Sequence, residues 1–421
     1  MLQHVIDAAK KAGSAHEVVI IGAGAELVEQ AISNVEFVIQ KEQLGTGHAV
    51  LSAKENFAQS KGTVLILCGD TPLLPEKLLK DFVAAHESSN CAATVMTADM
   101  PDPKGYGRVV YDADGTLQRI VEDKDATADE HKICEVNAGV YCFDVQKLFG
   151  ALEHVTNDNA QGEYYLPSVL PILKAAGEKI CAFKADYAED VRGINTREQL
   201  AAAGKILRVR KERELMESGV TIVDPNMTFI DTDVEIGQDT IIHPNTYLEG
   251  KTIIGANCEV GPDVRLVNMV VGNNVQVQFS YCHDATIDND VTIGPYVHVR
   301  PGTKISERVK VGNFVEIKNS NIGKGTKLPH LQYIGDSDVG ENVNIGCGSV
   351  TCNYDGKNKH RTKIGDNAFI GCNTNLVAPV NVGEGAYTAA GSTITKDVPK
   401  NNLAIARARQ TNIVDWNDKR K

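Results

Sequence analysis

The sequence predicts a doubly wound α/β domain, then a linker helix, then a parallel β-helix of six-residue repeats. Three observations carry this. Short β-branched runs alternate with helical patterns up to about residue 195. An aliphatic residue then recurs at every sixth position over much of 236–394. Finally, 421 residues exceed one ordinary core, and 37 glycines with 5% aromatics suit tight corners around a narrow interior.

In the first part, Leu2, Val5, Ile6 and Ala9 fall on one face of a helix over 2–12. The runs 18–21 and 64–68 are apolar without alternation and stop at Gly22 and Gly69. Such runs suit parallel strands buried between helices. Further strands are expected over 108–112 and 133–143, and helices over 75–87, 145–152 and 165–176. This is the rhythm of a doubly wound α/β domain over residues 1–195. The Gly22-Ala23-Gly24 turn is no dinucleotide site, because Leu27 takes the place of the third glycine. Residues 196–224 read as the linker helix, capped by Thr196 with Glu198 nearby.

Residues 225–421 change period. Aliphatic residues fall at Ile236, Ile242, Leu248, Ile254, Val260 and Leu266, and again at Ile287, Ile293, Val299, Ile305, Val311 and Ile317. Ile322, Leu328 and Ile334 continue the series, then Ile364, Ile370, Leu376, Val382 and Ile394, with a gap at Thr388. Glycine often follows, as in Ile254-Gly255 and Ile370-Gly371. A period of six fits neither a helix nor a hairpin. It is the signature of a parallel β-helix whose aliphatic residues stack inside a triangular prism. Glycine is expected to turn each corner. Three faces per coil over 236–394 imply roughly nine coils. Residues 411–421 are expected to form a mobile tail.

Charge narrows the function. The chain has 43 basic and 55 acidic residues, net −12, so nucleic acid is not an expected partner. No apolar run reaches the roughly 18 residues of a membrane span. No secretory signal is visible, so a cytoplasmic protein is expected, with its ten cysteines reduced. No CxxC pair or close histidine spacing marks a zinc site.

The six-residue rhythm breaks between Gly346 and Ile364, so a protruding loop is expected there. Residues 300–363 hold 11 Lys/Arg against 6 Asp/Glu, a positive patch suited to a phosphorylated substrate. His330 lies in this patch beside Tyr333, where an imidazole can accept a proton from an attacking amine.

Five ordered motifs carry a resemblance. They are Arg300-Pro301-Gly302, 311–318 (VGNFVEIK), 330–336 (HLQYIGD), 343–346 (VNIG) and 352–359 (CNYDGKNK). Together they resemble the bifunctional N-acetylglucosamine-1-phosphate uridyltransferase / glucosamine-1-phosphate acetyltransferase family, over nearly the whole chain. The resemblance implies a left-handed β-helix, a homotrimer with sites between neighbouring β-helices, and acetyl transfer from acetyl-CoA to glucosamine 1-phosphate. It implies His330 as general base, with Arg300, Lys318, Tyr333, Asn344 and Lys359 on the sugar phosphate. It places Cys347, Asn353, Tyr354, Cys372, Ala390 and Arg407 against acetyl-CoA. A backbone N–H near Cys347 is the expected oxyanion donor. The chain departs from the pattern at Leu328-Pro329, Gln332, Cys347 and Cys372.

The first part matches too, as a nucleotidyltransferase-like domain. Gln40, then 43–49 (QLGTGHA), resembles the uridine-recognition segment, and 67–73 (LCGDTPL) resembles the strand end whose aspartate holds Mg²⁺. The resemblance puts Gln40, Gly45, Thr46, Gly107, Glu122 and Asn137 on UTP and N-acetylglucosamine 1-phosphate, and Asp70 with Asn195 on the metal. The family's opening strand and triphosphate loop have no counterpart before Met1, so weak uridylyl transfer is expected. Two other readings stay open. One is a sugar-nucleotide pyrophosphorylase with a non-catalytic β-helix; the other is a non-enzymatic trimeric scaffold.

Overall fold

In the computed structural model, which describes residues 1–420, helix α1 (Leu2–Ala12) buries Val5, Ile6, Ala8 and Ala9. It stops at Gly13, whose φ of +105° is open to glycine at little cost. Strand β1 (Val18–Ile21) pairs in parallel with β2 (Glu36–Ile39), across the short helix α2 (Ala25–Ala31). Then come α3 (Thr46–Ser52), β3 (Thr63–Ile66), α4 (Glu76–Ser89) and β4 (Ala93–Asp99). Strands β5 (Arg108–Tyr111) and β6 (Leu117–Val121) form a hairpin. The long β7 (Glu135–Asp144) follows, then α5 (Val145–Leu152), α6 (Val169–Ala175) and β8 (Ile180–Lys184).

β7 organises the main sheet, whose order is β6-β5-β7-β4-β8 with β3 also on β7. Its residues alternate between two cores. Val136, Ala138, Val140 and Cys142 pack with Leu79 and Phe82 of α4. Tyr141 and Phe143 pack with Leu148 of α5 and Leu170 of α6. Helices thus cover both faces, as a doubly wound domain requires. The strand directions correct the expectation. β7 runs antiparallel to β3, β4 and β5, and only β4–β8 is a parallel pair within this sheet. An apolar run without alternation made 64–68 look parallel, and the antiparallel β3 also has apolar neighbours on both faces, Val64 and Ile66 packing on one core and Leu65 on the other. The pairing of β4 with β8 brings the Cα atoms of Cys91 and Cys181 to 6.2 Å, and the two form a disulfide. The expectation of ten reduced thiols is corrected at this pair; the other eight cysteines are free.

Helix α7 (Arg197–Glu217) begins with a reciprocal cap. Thr196 Oγ1 accepts the Gln199 N–H at 3.1 Å, and Gln199 Oε1 accepts the N–H groups of Asn195 and Thr196 at 2.7 and 3.0 Å. Gln199, not Glu198, is therefore the partner of the predicted cap. Two compact units, Met1–Gly204 and Lys205 onward, divide within this helix.

The second unit is a parallel β-helix. One face is a nine-stranded ladder. Its inward residues run Ile236, Ile254, Val271, Ile287, Ile305, Ile322, Val339, Ile364 and Val382. Each step along this series is one coil, and the step from Val339 to Ile364 is the longest because the chain leaves the prism within it. Nearly every aliphatic position named from the sequence is buried in one continuous core; Ile236 is half-buried against it. At the gap, Thr388 also points inward, and its hydroxyl accepts the Gly371 N–H at 3.0 Å.

Some glycines turn left-handed corners as expected, such as Gly302, Gly348 and Gly391, but those after the aliphatic residues mostly do a different job. Most of those after the aliphatic residues lack positive φ; they stack against the next coil, leaving no room for a Cβ. At Gly237, for example, a Cβ would lie 2.6 Å from the Ala256 nitrogen. The left-handed corners fall shortly after them and are mostly Asn or Asp, such as Asn257, Asn274 and Asn342. Their short side chains bond locally and tolerate that conformation.

Candidate active site

One corner of the prism carries five of the twelve candidate acetyl-transfer residues. Strand Lys310–Lys318 pairs with strand Lys327–Gly335, which places Asn313 opposite His330. The exposed His330 ring sets Nδ1 2.7 Å from Asn313 Oδ1. An amide oxygen can only accept, so Nδ1 carries the hydrogen of this bond, and in the neutral ring Nε2 is the nitrogen with the lone pair. Asn313 was not singled out in the sequence; a polar residue one coil before the histidine was the available signal.

The next coil brings Cys347. Lys327 pairs with Asn344, which puts Cys347, a little further on, in the coil that follows His330. Asn344 pairs with Phe369 and Ile345 with Ile370, so Cys347 stacks on Cys372. Phe369 pairs with Tyr387 and Ile370 with Thr388, so Cys372 stacks on Ala390. Arg407 closes the series, its Nη1 donating to the Ala390 carbonyl at 2.7 Å. His330, Cys347, Cys372, Ala390 and Arg407 are far apart in sequence, yet coil stacking sets them in one line along the prism.

The basic candidates converge on acids. Arg300 Nη1 donates to Glu316 Oε1 at 2.8 Å. Glu316 in turn pairs across the ladder with Tyr333. Lys318 Nζ lies 3.3 Å from Asp336 Oδ2, and Asn319 Nδ2 donates to Asp336 Oδ1 at 2.6 Å. Asn353 also donates to Asp336, and its Nδ2 lies 3.4 Å from the Tyr333 hydroxyl. Burial would raise the Asp336 carboxyl, but the Asn319 and Asn353 bonds and the Lys318 charge outweigh it and hold it low. Lys359 is held below its ordinary value by the adjoining Lys318 ammonium. Asp336 was missed as a site residue; it is 5% exposed and is the shared anchor of this cluster.

The protruding loop is narrower than expected. Val350–Cys352 and Thr362–Ile364 stay in the ladders, because their inward residues continue the prism. The excursion between them is closed by a bridge between Tyr354 and Lys359. Asp355 fastens its tip, accepting the Asn358 and Lys357 N–H groups at 2.6 and 2.8 Å and holding His360 at 2.7 Å. These contacts push its carboxyl down to about 2. Arg361 is tied to Asp338 and to the Asn319 carbonyl, so it anchors the loop. Beside His330 lies an open groove of about 700 Å³, lined in part by Tyr296, His298, Phe314, Leu331 and Tyr333.

In the first unit, segment 40–49 is bound to the 159–166 turn. Gln40 Nε2 donates to the Gly45 carbonyl at 3.1 Å, Gly47 N–H to the Tyr164 carbonyl at 2.7 Å, and Leu166 N–H to Thr46 Oγ1 at 3.0 Å. Gly107, Glu122 and Asn137 meet at one place. A Cβ on Gly107 would lie 3.4 Å from Glu122 Oε1 and 3.6 Å from Asn137 Cβ. Burial, then Asp125, Asp123 and Glu163, raise the Glu122 carboxyl above its ordinary 4.5. A carboxyl raised on folding contributes stability below 4.5 that is lost as pH rises through its folded value. Glu122→Gln is therefore expected to raise thermal stability at neutral pH and not at about pH 4, as differential scanning calorimetry would read.

The Ile194 N–H donates to the Asp70 carbonyl at 3.0 Å, which sets Asn195 beside Asp70. Gly193 leaves space there: a Cβ would come within 3.2 Å of Asp70 Oδ2. One carboxylate and one amide oxygen are donors that suit a hard cation keeping most of its waters. Among the described residues, no group of three or more His, Cys, Asp or Glu forms a denser metal site, and no helix is long and apolar enough to cross a membrane.

Comparison with known proteins agrees with both halves. Residues 1–194 match the nucleotidyl transferase family, and residues 233–268, 284–319 and 361–396 match bacterial transferase hexapeptide repeats. The chain is 51% identical to the bifunctional protein GlmU of a Geobacillus species over 420 residues, covering all of this chain and 92% of that one. It is 50% identical to that of Halalkalibacterium halodurans, covering 98% of this chain and 91% of the other. The figures for Listeria monocytogenes are 49%, 98% and 90%. The chain belongs to the bifunctional GlmU family of nucleotidyltransferases with a hexapeptide β-helix.

Proposed function

We propose that residues 225–421 carry the family's acetyl transfer with His330 as base, that residues 1–195 carry its uridylyl transfer, and that 196–224 join them. The chain is a transferase of UDP-N-acetylglucosamine biosynthesis, and acetyl-CoA and UTP are its co-substrates. The observation that carries the site reading is the line from His330 to Arg407.

In this reading the sugar phosphate lies between Arg300, Lys318, Lys359 and Tyr333, with Asn344 beyond them. Its ammonium group faces His330 Nε2, which takes a proton. The free amine attacks the thioester carbonyl; as the C–S bond of the tetrahedral intermediate breaks, the nitrogen gives its second proton to the departing sulfur, leaving the amide. A backbone N–H near Cys347 holds the oxyanion, and CoA leaves as the thiol. Asn353 and Tyr354, at the root of the loop, join Cys347, Cys372, Ala390 and Arg407 in holding acetyl-CoA. Asp355→Ala is expected to open the loop and raise KM for both substrates about tenfold, with kcat changing less. Initial-rate kinetics of CoA release test this.

Pro329, just before the base, presses its carbonyl onto Gly312, where no Cβ fits. Gly312→Ala is expected to shift the His330 strand and cut acetyl transfer on the order of 10²-fold, the usual cost of a misplaced reacting group. The same assay reads it, with circular dichroism confirming a folded chain.

In the first unit, Asp70 and Asn195 would hold Mg²⁺, whose chemistry is to neutralise charge on the nucleotide phosphates. Gln40, Gly45 and Thr46 would shape the uridine pocket, and Gly107, Glu122 and Asn137 the sugar pocket. The assembly we favour is a homotrimer. An apolar stripe of Phe279 and the exposed Tyr296, Phe314 and Leu331 runs up the corner beside His330 at positive φ, and Tyr296 stacks on Phe314 at 5.3 Å. Use of UTP and acetyl-CoA suits the cytoplasm. Acetylation of glucosamine 1-phosphate by the purified chain tests the proposal; no CoA release would overturn it.

A further inference from the structure

Cys347 and Cys372 occupy equivalent positions one coil apart. The Gly346 N–H reaches the Ile370 carbonyl at 2.7 Å, and the Asn373 N–H reaches the Cys347 carbonyl at 2.7 Å. Ladder bonds therefore bracket the two cysteines and hold their backbones about 4.8 Å apart, the spacing of paired strands. A disulfide closes over Cα separations of roughly 4.4–6.8 Å, and Cys347 and Cys372 take the same place in the turns of neighbouring coils, each two residues after an inward isoleucine, Ile345 and Ile370. Both thiols are free; Cys372 is exposed and Cys347 half-buried. The acetyl-transfer steps above use neither sulfur. His330 lies one coil to one side, Ala390 and Arg407 to the other, so the pair sits in the middle of the line that would receive the CoA thiol.

We propose that Cys347 and Cys372 form a reactive thiol pair that the disulfide of CoA oxidises within the acyl-CoA groove, closing it reversibly. This rests on reading the line from His330 to Arg407 as the acyl-CoA site. The Cys372 thiolate attacks one sulfur of CoA disulfide; a Cys372–CoA bond forms, and one CoA leaves as a thiolate. The Cys347 thiolate then attacks Cys372 Sγ; the protein disulfide forms, and the second CoA leaves. Two protein thiols are oxidised, and one CoA disulfide is reduced to two CoA thiols. The other free cysteines of the β-helix compete poorly. Cys258 and Cys282 are buried, with Cys282 pushed up to about 12, and burial also raises Cys352.

The full chain, treated with CoA disulfide or glutathione disulfide, is followed by intact mass and peptide mapping. A Cys347–Cys372 link, distinct from Cys91–Cys181, is expected. It should form about tenfold faster with CoA disulfide, the factor that roughly 1.4 kcal/mol of CoA recognition supplies. Excess acetyl-CoA should slow it, and dithiothreitol should reverse it. Cys347→Ala is expected to stop at a CoA adduct on Cys372, and Cys372→Ser at one on Cys347. Adducts confined to the exposed Cys134, with Cys347 and Cys372 unmodified, would overturn the thiol pair. A link forming equally fast from both disulfides, with no protection by acetyl-CoA, would instead overturn the acyl-CoA reading and the CoA-directed reaction with it.

Discussion

His330→Ala is expected to lower kcat for acetyl transfer by about 10²–10⁴-fold, the range a general base contributes. KM for acetyl-CoA should move little, because the line from Cys347 to Arg407 stays intact. Asn313→Ala should give a smaller loss and an altered pH profile, since the ring loses the acceptor that fixes its tautomer while Nε2 remains. CoA release from glucosamine 1-phosphate across a pH series reads both. A β-helix that served only as a scaffold would show no dependence on His330.

The second large effect is at Asp336. Asp336→Ala removes the acceptor shared by Asn319, Asn353 and Lys318. It also removes the charge that lets Lys318 sit beside Lys359. Breaking a buried, hydrogen-bonded charge pair costs about 3 kcal/mol, so a clear fall in thermal midpoint is expected. KM for glucosamine 1-phosphate should rise at least about tenfold as the two lysines separate. Asp336→Asn keeps the shape without the charge; it should recover much of the stability and little of the KM. Equal recovery of both would mean that Asp336 acts through shape alone.

The β-helix was legible because its interior repeats. An inward Ile or Val at every sixth position has one geometric solution, and even Thr388 occupies its place in the ladder. The role of glycine was not legible. Sequence shows glycine near a corner, but only coordinates show that Gly237 is pressed by the coil above while Asn257 makes the left-handed turn. β3 misled for a similar reason, because apolar neighbours on both faces are shared by parallel and antiparallel strands. His330 was found through a motif, and Cys347 and Cys372 through the family resemblance. Their alignment was not, since the coils that separate His330, Cys347, Cys372, Ala390 and Arg407 are unequal in length. The long step from Cys347 to Cys372 hides the register unless the 353–361 excursion is known to leave the prism. Asp336 was quoted in a motif without a role, because its partners Asn319 and Asn353 lie one coil before it and one coil after it.

The most direct measurement is a crystal structure with acetyl-CoA bound. The thioester carbon should lie between His330 Nε2 and the backbone at Cys347, with the rest of the molecule passing Cys372 and Ala390 to reach Arg407. Acetyl-CoA bound on another face of the prism, with its acyl end away from His330, would contradict the account.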